Sequence, residues 1–178
     1  MKNDPTPTRT GYVHVYTGNG KGKTTAAIGL AVRALGAGLK VYLGQFAKCR
    51  ECGELKTLAH FKDQITIEVF GTGFFIVDQP TAADIEAAKT GFTKARDAVN
   101  SGKYDLVILD EINIAMFYTM VSTDEVLDLI KNKPNHVELI LTGRCAVQEV
   151  IDVADLVTEM REIKHYYSLG VLSRPGVE

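Results

Sequence analysis

Residues 17–25 read Thr17-Gly-Asn-Gly-Lys-Gly-Lys-Thr-Thr25, with glycines at 18, 20 and 22 and lysines at 21 and 23. The run before it, Tyr12–Thr17 (YVHVYT), is rich in β-formers. The run after it, from about Lys23 to Leu35, is rich in Ala and Leu and stops at the Gly36/Gly38 pair. A strand that enters a helix through alternate glycines is a strong constraint, because few folds need one. The spacing predicts a backbone bent so that its N–H groups converge, without Cβ atoms in the way.

Gly22-Lys23-Thr24 matches the G-K-[ST] end of a P-loop, in the strand–turn–helix context such a match requires. The usual spacing would place a first glycine at position 17, where this chain has Thr17; the loop instead runs G-x-G-x-G-K-T from Gly18, with Lys21 added in its crown. Gly18, Gly20 and Gly22 are expected to open the backbone to phosphate oxygens, and the helix amino end adds partial positive charge. Lys23 supplies a full charge, and the Thr24 hydroxyl is a candidate ligand for Mg²⁺ or Mn²⁺. Thr17, Asn19, Lys21 and Thr25 complete the predicted nucleotide contacts.

Strand and helix patterns alternate along the remainder. Strands are predicted at Val41–Phe46, Ile65–Phe70, Leu106–Leu109, Val137–Leu141 and Leu156–Met160. Thr81-Ala-Ala-Asp84 and Ser122-Thr-Asp-Glu125 are capping boxes opening two helices, the second ending before Pro134, and Val147–Ala154 is a short helix. This alternation implies the α/β class: a P-loop NTPase-like (RecA-type), mostly parallel sheet with helices on both faces. Ligands of such sheets bind beyond the carboxyl ends of the strands. Four apolar residues, Leu106-Val-Ile-Leu109, run into Asp110-Glu111, the Walker B pattern. If that strand neighbours the first, both acids fall beside the phosphate turn. There Asp110 is a direct or water-mediated metal ligand, and Glu111 a ligand or base.

At 178 residues, one domain is the expectation, with residues 1–10 as a tail and 11–178 as the folded unit. With 46% apolar and 24% charged residues, the composition suits a packed core and excludes disordered and collagen-like chains. A formal charge of −2 gives no general attraction to nucleic acid or anionic membrane. The polar start MKNDPTPTRT is not a signal peptide, and no apolar run has the ~18 residues of a membrane span. Three cysteines form no even framework, so a reducing cytoplasm is expected. Cys49-Arg-Glu-Cys52 has metal or redox spacing but lacks a second ligand pair, and a coincidental pairing is the blander alternative.

With these motifs placed, the chain from about Gly11 onward resembles the ATP:corrinoid adenosyltransferases of the CobA/BtuR (CobO) type. The likeness rests on the Thr17–Thr25 turn, Arg33, Gln45-Phe46-Ala47-Lys48, Gly53-Glu54-Leu55 and Gly71-Thr-Gly-Phe74. It continues through Val107–Glu111, Thr142-Gly-Arg144, Asp152-Val-Ala-Asp155, Lys164-His165 and Gly176-Val-Glu178.

The resemblance implies an unusual reaction: a reduced corrinoid, with cobalt as Co(I), attacks the 5′-carbon of ATP and releases triphosphate. The substrate would be cob(I)alamin or a related corrinoid such as cob(I)yrinic acid a,c-diamide, in cobalamin biosynthesis or salvage. Positive charge must then stabilise a whole leaving triphosphate, which Lys21 beside Lys23 suits. The resemblance further implies a homodimer and a flavoprotein reductant. Phe74 matches the family's aromatic position at the corrinoid face, and Phe75 stands in for a tryptophan that the enterobacterial pattern has where this chain has Ile76. Ordinary core packing is the alternative for both phenylalanines. Arg144 is read as a corrinoid or triphosphate contact, or as a structural partner of an aspartate in the next helix. Two rival functions remain open: a P-loop kinase or NTPase, and a non-catalytic ATP- or corrinoid-binding module.

Overall fold

The computed structural model describes residues 9–47, 53–71 and 79–177. Phe74, Phe75, Cys49 and Cys52, and most of the expected tail, lie outside the described residues. Six strands form one sheet: β1 (Val13–Thr17), β2 (Val41–Gln45), β3 (Ile65–Val69), β4 (Leu106–Asp110), β5 (Glu138–Thr142) and β6 (Leu156–Glu159). Their order is β3-β2-β4-β5-β1-β6, and every pair is parallel. Among the described residues, six α-helices accompany them: α1 (Lys23–Gly36), α2 (Gly53–Leu58), α3 (Ala82–Asn100), α4 (Ile112–Phe117), α5 (Thr123–Asn132) and α6 (Gln148–Val153).

The alternation of side chains along the strands sorts the core into two layers. Leu106, Ile108 and Ile140 face α1, against Ala27, Ala31, Ala34 and Leu35, with Leu58 of α2 in the same layer. Val107, Leu109, Leu139 and Leu141 face the other way, against Phe92, Ala95 and Val99 of α3 and Val126 and Leu129 of α5. Strands covered on both faces must be apolar throughout, which is why LVILD and ELILT lack the in–out polarity of a half-exposed sheet. β6 differs: all four residues are exposed, as befits an edge.

Both predicted capping boxes are present. Thr81 Oγ1 accepts from the Asp84 N–H and Ser122 Oγ from the Glu125 N–H, with the acidic side chain returning the bond in each case. Such a cap is worth about 1 kcal/mol. Two short helices, α2 and α4, were not expected. Each has six residues, under two turns. The strand order decides a condition that the sequence left open. β1 and β4 are not neighbours, because β5 lies between them. No described helix is long and apolar enough to cross a membrane.

Candidate functional site

The apolar layer facing α1 ends in polar residues at the same level on three adjacent strands. Val41 and Leu43 are followed on their face by Gln45, Leu106 and Ile108 by Asp110, and Ile140 by Thr142. Gln45, Asp110 and Thr142 are all fully buried. Asp110 organises the row. Its Oδ1 accepts from Thr142 Oγ1 at 2.6 Å and from Thr24 Oγ1 at 3.0 Å, and its Oδ2 from Gln45 Nε2 at 3.1 Å. The phosphate turn and the Walker B acid therefore meet across the end of the intervening strand.

Lys23 is buried, and its amine donates to the carbonyls of Gly18 and Gly20, both at 2.7 Å. Thr24 is half-buried beside it; Asn19, Lys21 and Thr25 are exposed. α1 starts from Gly22 (φ +113°) with no capping side chain and no acid in its first turn, in contrast to α3 and α5. Its first N–H groups and positive dipole end are thus left to the turn.

The glycines have a second purpose that the sequence reading did not anticipate. Gly20 N–H donates to the Met160 carbonyl at 2.7 Å, so this amide faces the end of β6 rather than a phosphate oxygen. A Cβ at Gly20 would stand 2.8 Å from backbone atoms of Met160 and Arg161, and one at Gly18 2.5 Å from the Met160 carbonyl. The turn is small so that it can lie on the edge strand.

Glu111 follows Asp110 in the left-handed conformation (φ +63°) and begins α4. Its N–H donates to Thr142 Oγ1 at 3.0 Å. A Cβ on Gly143 would lie 3.2 Å from Glu111 Oε2, so the carboxylate sits over the loop after β5. Three of the four described non-glycine residues at positive φ, Ala47, Glu111 and Cys145, come just after the carboxyl ends of β2, β4 and β5. Backbone strain of this kind collects at functional rims. Thr17 closes the cradle, its buried hydroxyl accepting from Ala146 N–H at 3.3 Å.

On the outer side, Lys21 Nζ donates to the Tyr166 hydroxyl at 2.9 Å, and the Arg174 guanidinium lies 4.7 Å from the Tyr166 ring centroid. His165 Nδ1 accepts from Tyr167 N–H and caps the 3₁₀ turn Tyr166–Leu169. Arg144 is exposed on the loop after β5 and, among the described residues, has no ion pair; Asp152 of α6 instead accepts from Gln148. Near the end of β3, Glu68 accepts from Lys94 and from the Tyr42 hydroxyl. Burial works to raise the Glu68 carboxyl, but these two bonds and the Lys94 charge hold it below its usual value, while burial and Glu68 push Tyr42 up.

The donor set fits a hard cation held jointly with phosphate. Thr24, Asp110 and Glu111 offer oxygen, and among the described residues no group of three or more His, Cys, Asp or Glu could hold a metal ion unaided. Gln45 Oε1 and Asn113 Oδ1 are buried with no hydrogen-bond partner, leaving acceptors for bound water around the acid pair. That pattern suits Mg²⁺, which binds through one or two carboxylates, substrate phosphates and retained water.

The model of the ATP:corrinoid adenosyltransferase BtuR/CobO/CobP family matches residues 9–178. This chain belongs to that family. A corrinoid adenosyltransferase from Sinorhizobium sp is 38% identical over 171 residues, covering 94% of this chain and 80% of the relative. One from Pseudomonas aeruginosa is 37% identical over 169 residues (94% and 83%), and the corrinoid adenosyltransferase CobA of Salmonella typhimurium is 34% identical over 168 residues (94% and 85%). Among solved structures, the flagellar accessory protein FlaH from Methanocaldococcus jannaschii superposes with a TM-score of 0.62 over 85% of this chain and 71% of that one. At 12% identity that likeness concerns the fold alone, which is the P-loop NTPase-like α/β sheet expected from the sequence.

Within this adenosyltransferase family member, the sequence had assigned roles to the turn and to Asp110-Glu111, and these do converge. It had assigned none to Gln45 and Thr142, although both were visible as polar residues closing apolar strand runs. Tyr166 and Arg174 carry no comparable signal, since no spacing in sequence links them to Lys21.

Proposed function

We propose that this chain transfers the 5′-deoxyadenosyl group of ATP to the cobalt of cob(I)alamin or a closely related corrinoid, as part of cobalamin biosynthesis or salvage. The observation that carries the reading is the buried Lys23 amine in the Gly18–Gly22 turn, with Thr24 tied to Asp110 across the strand ends. In the step, the Co(I) lone pair forms a bond to C5′ and the C5′–O bond breaks. Its electrons leave on the triphosphate, and cobalt ends as an alkyl-Co(III) centre. Charge therefore grows on the triphosphate oxygen that leaves, and fixed positive groups there lower the barrier. Lys23 is the principal such group. Lys21 adds a second charge at the crown, and the open amino end of α1 a third, partial one.

Thr24 and Glu111, with Asp110 behind them, would hold Mg²⁺ or Mn²⁺, whose contribution when bound is to neutralise polyphosphate charge. Phe74 and Phe75 are assigned to the corrinoid face and Arg144 to the corrinoid side chains or the triphosphate, all on family resemblance. Residues 11–178 are read as one functional unit and 1–10 as a tail. A cytoplasmic homodimer served by a flavoprotein reductant completes the reading.

The decisive assay is anaerobic. Reduced cobalamin and Mg-ATP should give a photolabile alkylcobalamin absorbance together with inorganic triphosphate. ADP and phosphate as products would instead make the chain a kinase or NTPase. Intact nucleotide beside reduced cobalamin would make it a binding module.

A further inference from the structure

We propose that Thr142 is a positioning residue that aims the Glu111 carboxylate at the metal ion of the nucleotide, an assignment that rests on the ATP-dependent reading above. The argument begins with strand order. Because β5 separates β1 from β4, the phosphate turn and the acid pair cannot touch through adjacent strands, and the residue ending β5 fills the gap. That residue is Thr142, in register with Tyr16 of β1, one position before the end of that strand.

One hydroxyl there makes two bonds of opposite sense. It donates to Asp110 Oδ1 at 2.6 Å and accepts from the Glu111 N–H at 3.0 Å. A methyl could do neither, and an amide could not do both from one atom. The first bond orients the hydroxyl proton and leaves a lone pair for the second. The second pins the backbone of Glu111 where it turns left-handed, a conformation that costs a non-glycine residue about 1–3 kcal/mol.

With its backbone held there, Glu111 extends its carboxylate over Gly143, where φ is +133° and a Cβ would stand a tight 3.0 Å from Asn113 Cβ. Asn113 seals the arrangement, donating to the Gly143 carbonyl at 3.2 Å. Thr142 thus sets the direction of the half-buried Glu111 through the backbone and the pose of the fully buried Asp110 through its side chain. Thr142 itself is fully buried.

The test uses the full chain with ATP and no corrinoid, and measures ATP affinity by calorimetry with Mn²⁺ and again with EDTA. The difference is the metal-dependent gain in binding. Thr142→Val, nearly isosteric but without the hydroxyl, should lose about 10-fold to 100-fold of that gain, the usual penalty for removing a residue behind a metal ligand, with the EDTA affinity unchanged. Thr142→Ser should keep the gain. On a Glu111→Ala background, Thr142→Val should subtract much less, because only its bond to Asp110 is left to lose.

The assignment is overturned if the valine variant keeps the full gain, if it loses affinity equally in EDTA, or if its loss adds in full to that of Glu111→Ala. A wild-type chain that binds ATP without any metal-dependent gain would overturn the metal assignment itself, and Thr142's role with it. Failure of the wild type to bind ATP in either condition would overturn the functional reading first. If the valine variant does not fold, Thr142→Ala applies the same test without the extra methyl.

Discussion

Two walls enclose the phosphate turn, and they are made on different terms. The inner wall is the row Gln45, Asp110 and Thr142 at the ends of central strands, each at 0% exposure and joined to one another by hydrogen bonds to Asp110. The outer wall is the edge strand β6 with the segment after it, where Leu156 is 42% and Tyr167 68% exposed. The two lysines of the turn divide between them: Lys23 is buried and held by carbonyls, and Lys21 is exposed and held by a tyrosine. A charge in the dry wall acts at full strength and tolerates no vacancy, whereas one in the wet wall is screened and replaceable. The inner wall should therefore govern chemistry and stability, and the outer wall affinity.

The sharpest way to break this contrast is to remove each lysine in turn. Lys23→Ala should reduce alkylcobalamin formation by about a hundred-fold to a thousand-fold, the scale of losing a fixed transition-state donor. Lys21→Ala should cost far less, and mainly in KM for ATP. Equal losses from the two variants, measured anaerobically on proteins with matching melting curves, would abolish the distinction between the walls.

Asp110 tests the inner wall by itself. Asp110→Ala leaves the hydroxyls of Thr24 and Thr142 and the amide of Gln45 without their acceptor, and should cost about 3 kcal/mol or more in urea unfolding. Asp110→Asn should cost much less. The new amide can keep its oxygen toward the threonines and turn its NH₂ toward Gln45, whose unpartnered Oε1 becomes an acceptor once that side chain flips. A large stability loss in the asparagine variant would show that the charge, rather than the hydrogen-bond geometry, holds the row together.

Gly20 is where the turn meets the outer wall. Gly20→Ala forces a methyl against the Met160–Arg161 backbone and should destabilise by about 1–3 kcal/mol, as overpacking does. The β6 amides should gain hydrogen exchange before those of β4. Protection lost evenly across the sheet would mean that the edge strand is as integral as the centre.

The same division explains what the sequence made legible. Strands β4 and β5 were readable because burial on both faces demands unbroken apolar runs, β1, β2, β3 and β6 as short runs rich in β-formers, and α3 and α5 because their caps are local signals. The turn was readable because its chemistry is contiguous. Strand order was not, since no local pattern records that β5 inserts between the two motif strands. Gly20 was assigned to phosphate because its real neighbour, Met160, is distant in sequence. Gln45 and Thr142 belonged to stretches that matched the family, but their shared purpose emerges only when three strand ends are set side by side. The sequence thus announced the inner wall's acid and the strand of the outer wall, and left the supports of the one and the side-chain contacts of the other to the tertiary structure.

Tyr166 offers the finest test, because its ring and its hydroxyl can be separated. The hydroxyl accepts from Lys21 Nζ at 2.9 Å, while the ring lies under Arg174 and 5.4 Å from the same ammonium. Tyr166→Phe removes the hydrogen bond and keeps both cation–ring contacts. Since Lys21 is exposed, the lost bond should be worth no more than an exposed ion pair, below about 1 kcal/mol, and should appear as at most a several-fold rise in KM for ATP with kcat unchanged. Tyr166→Ala should be the worse variant, because it also releases Arg174, and its deficit should shrink with added salt as screening weakens what the aromatic ring was organising. If instead the phenylalanine variant loses kcat, then Lys21 requires the hydroxyl to reach the leaving triphosphate, and the outer wall takes part in the bond-breaking step itself.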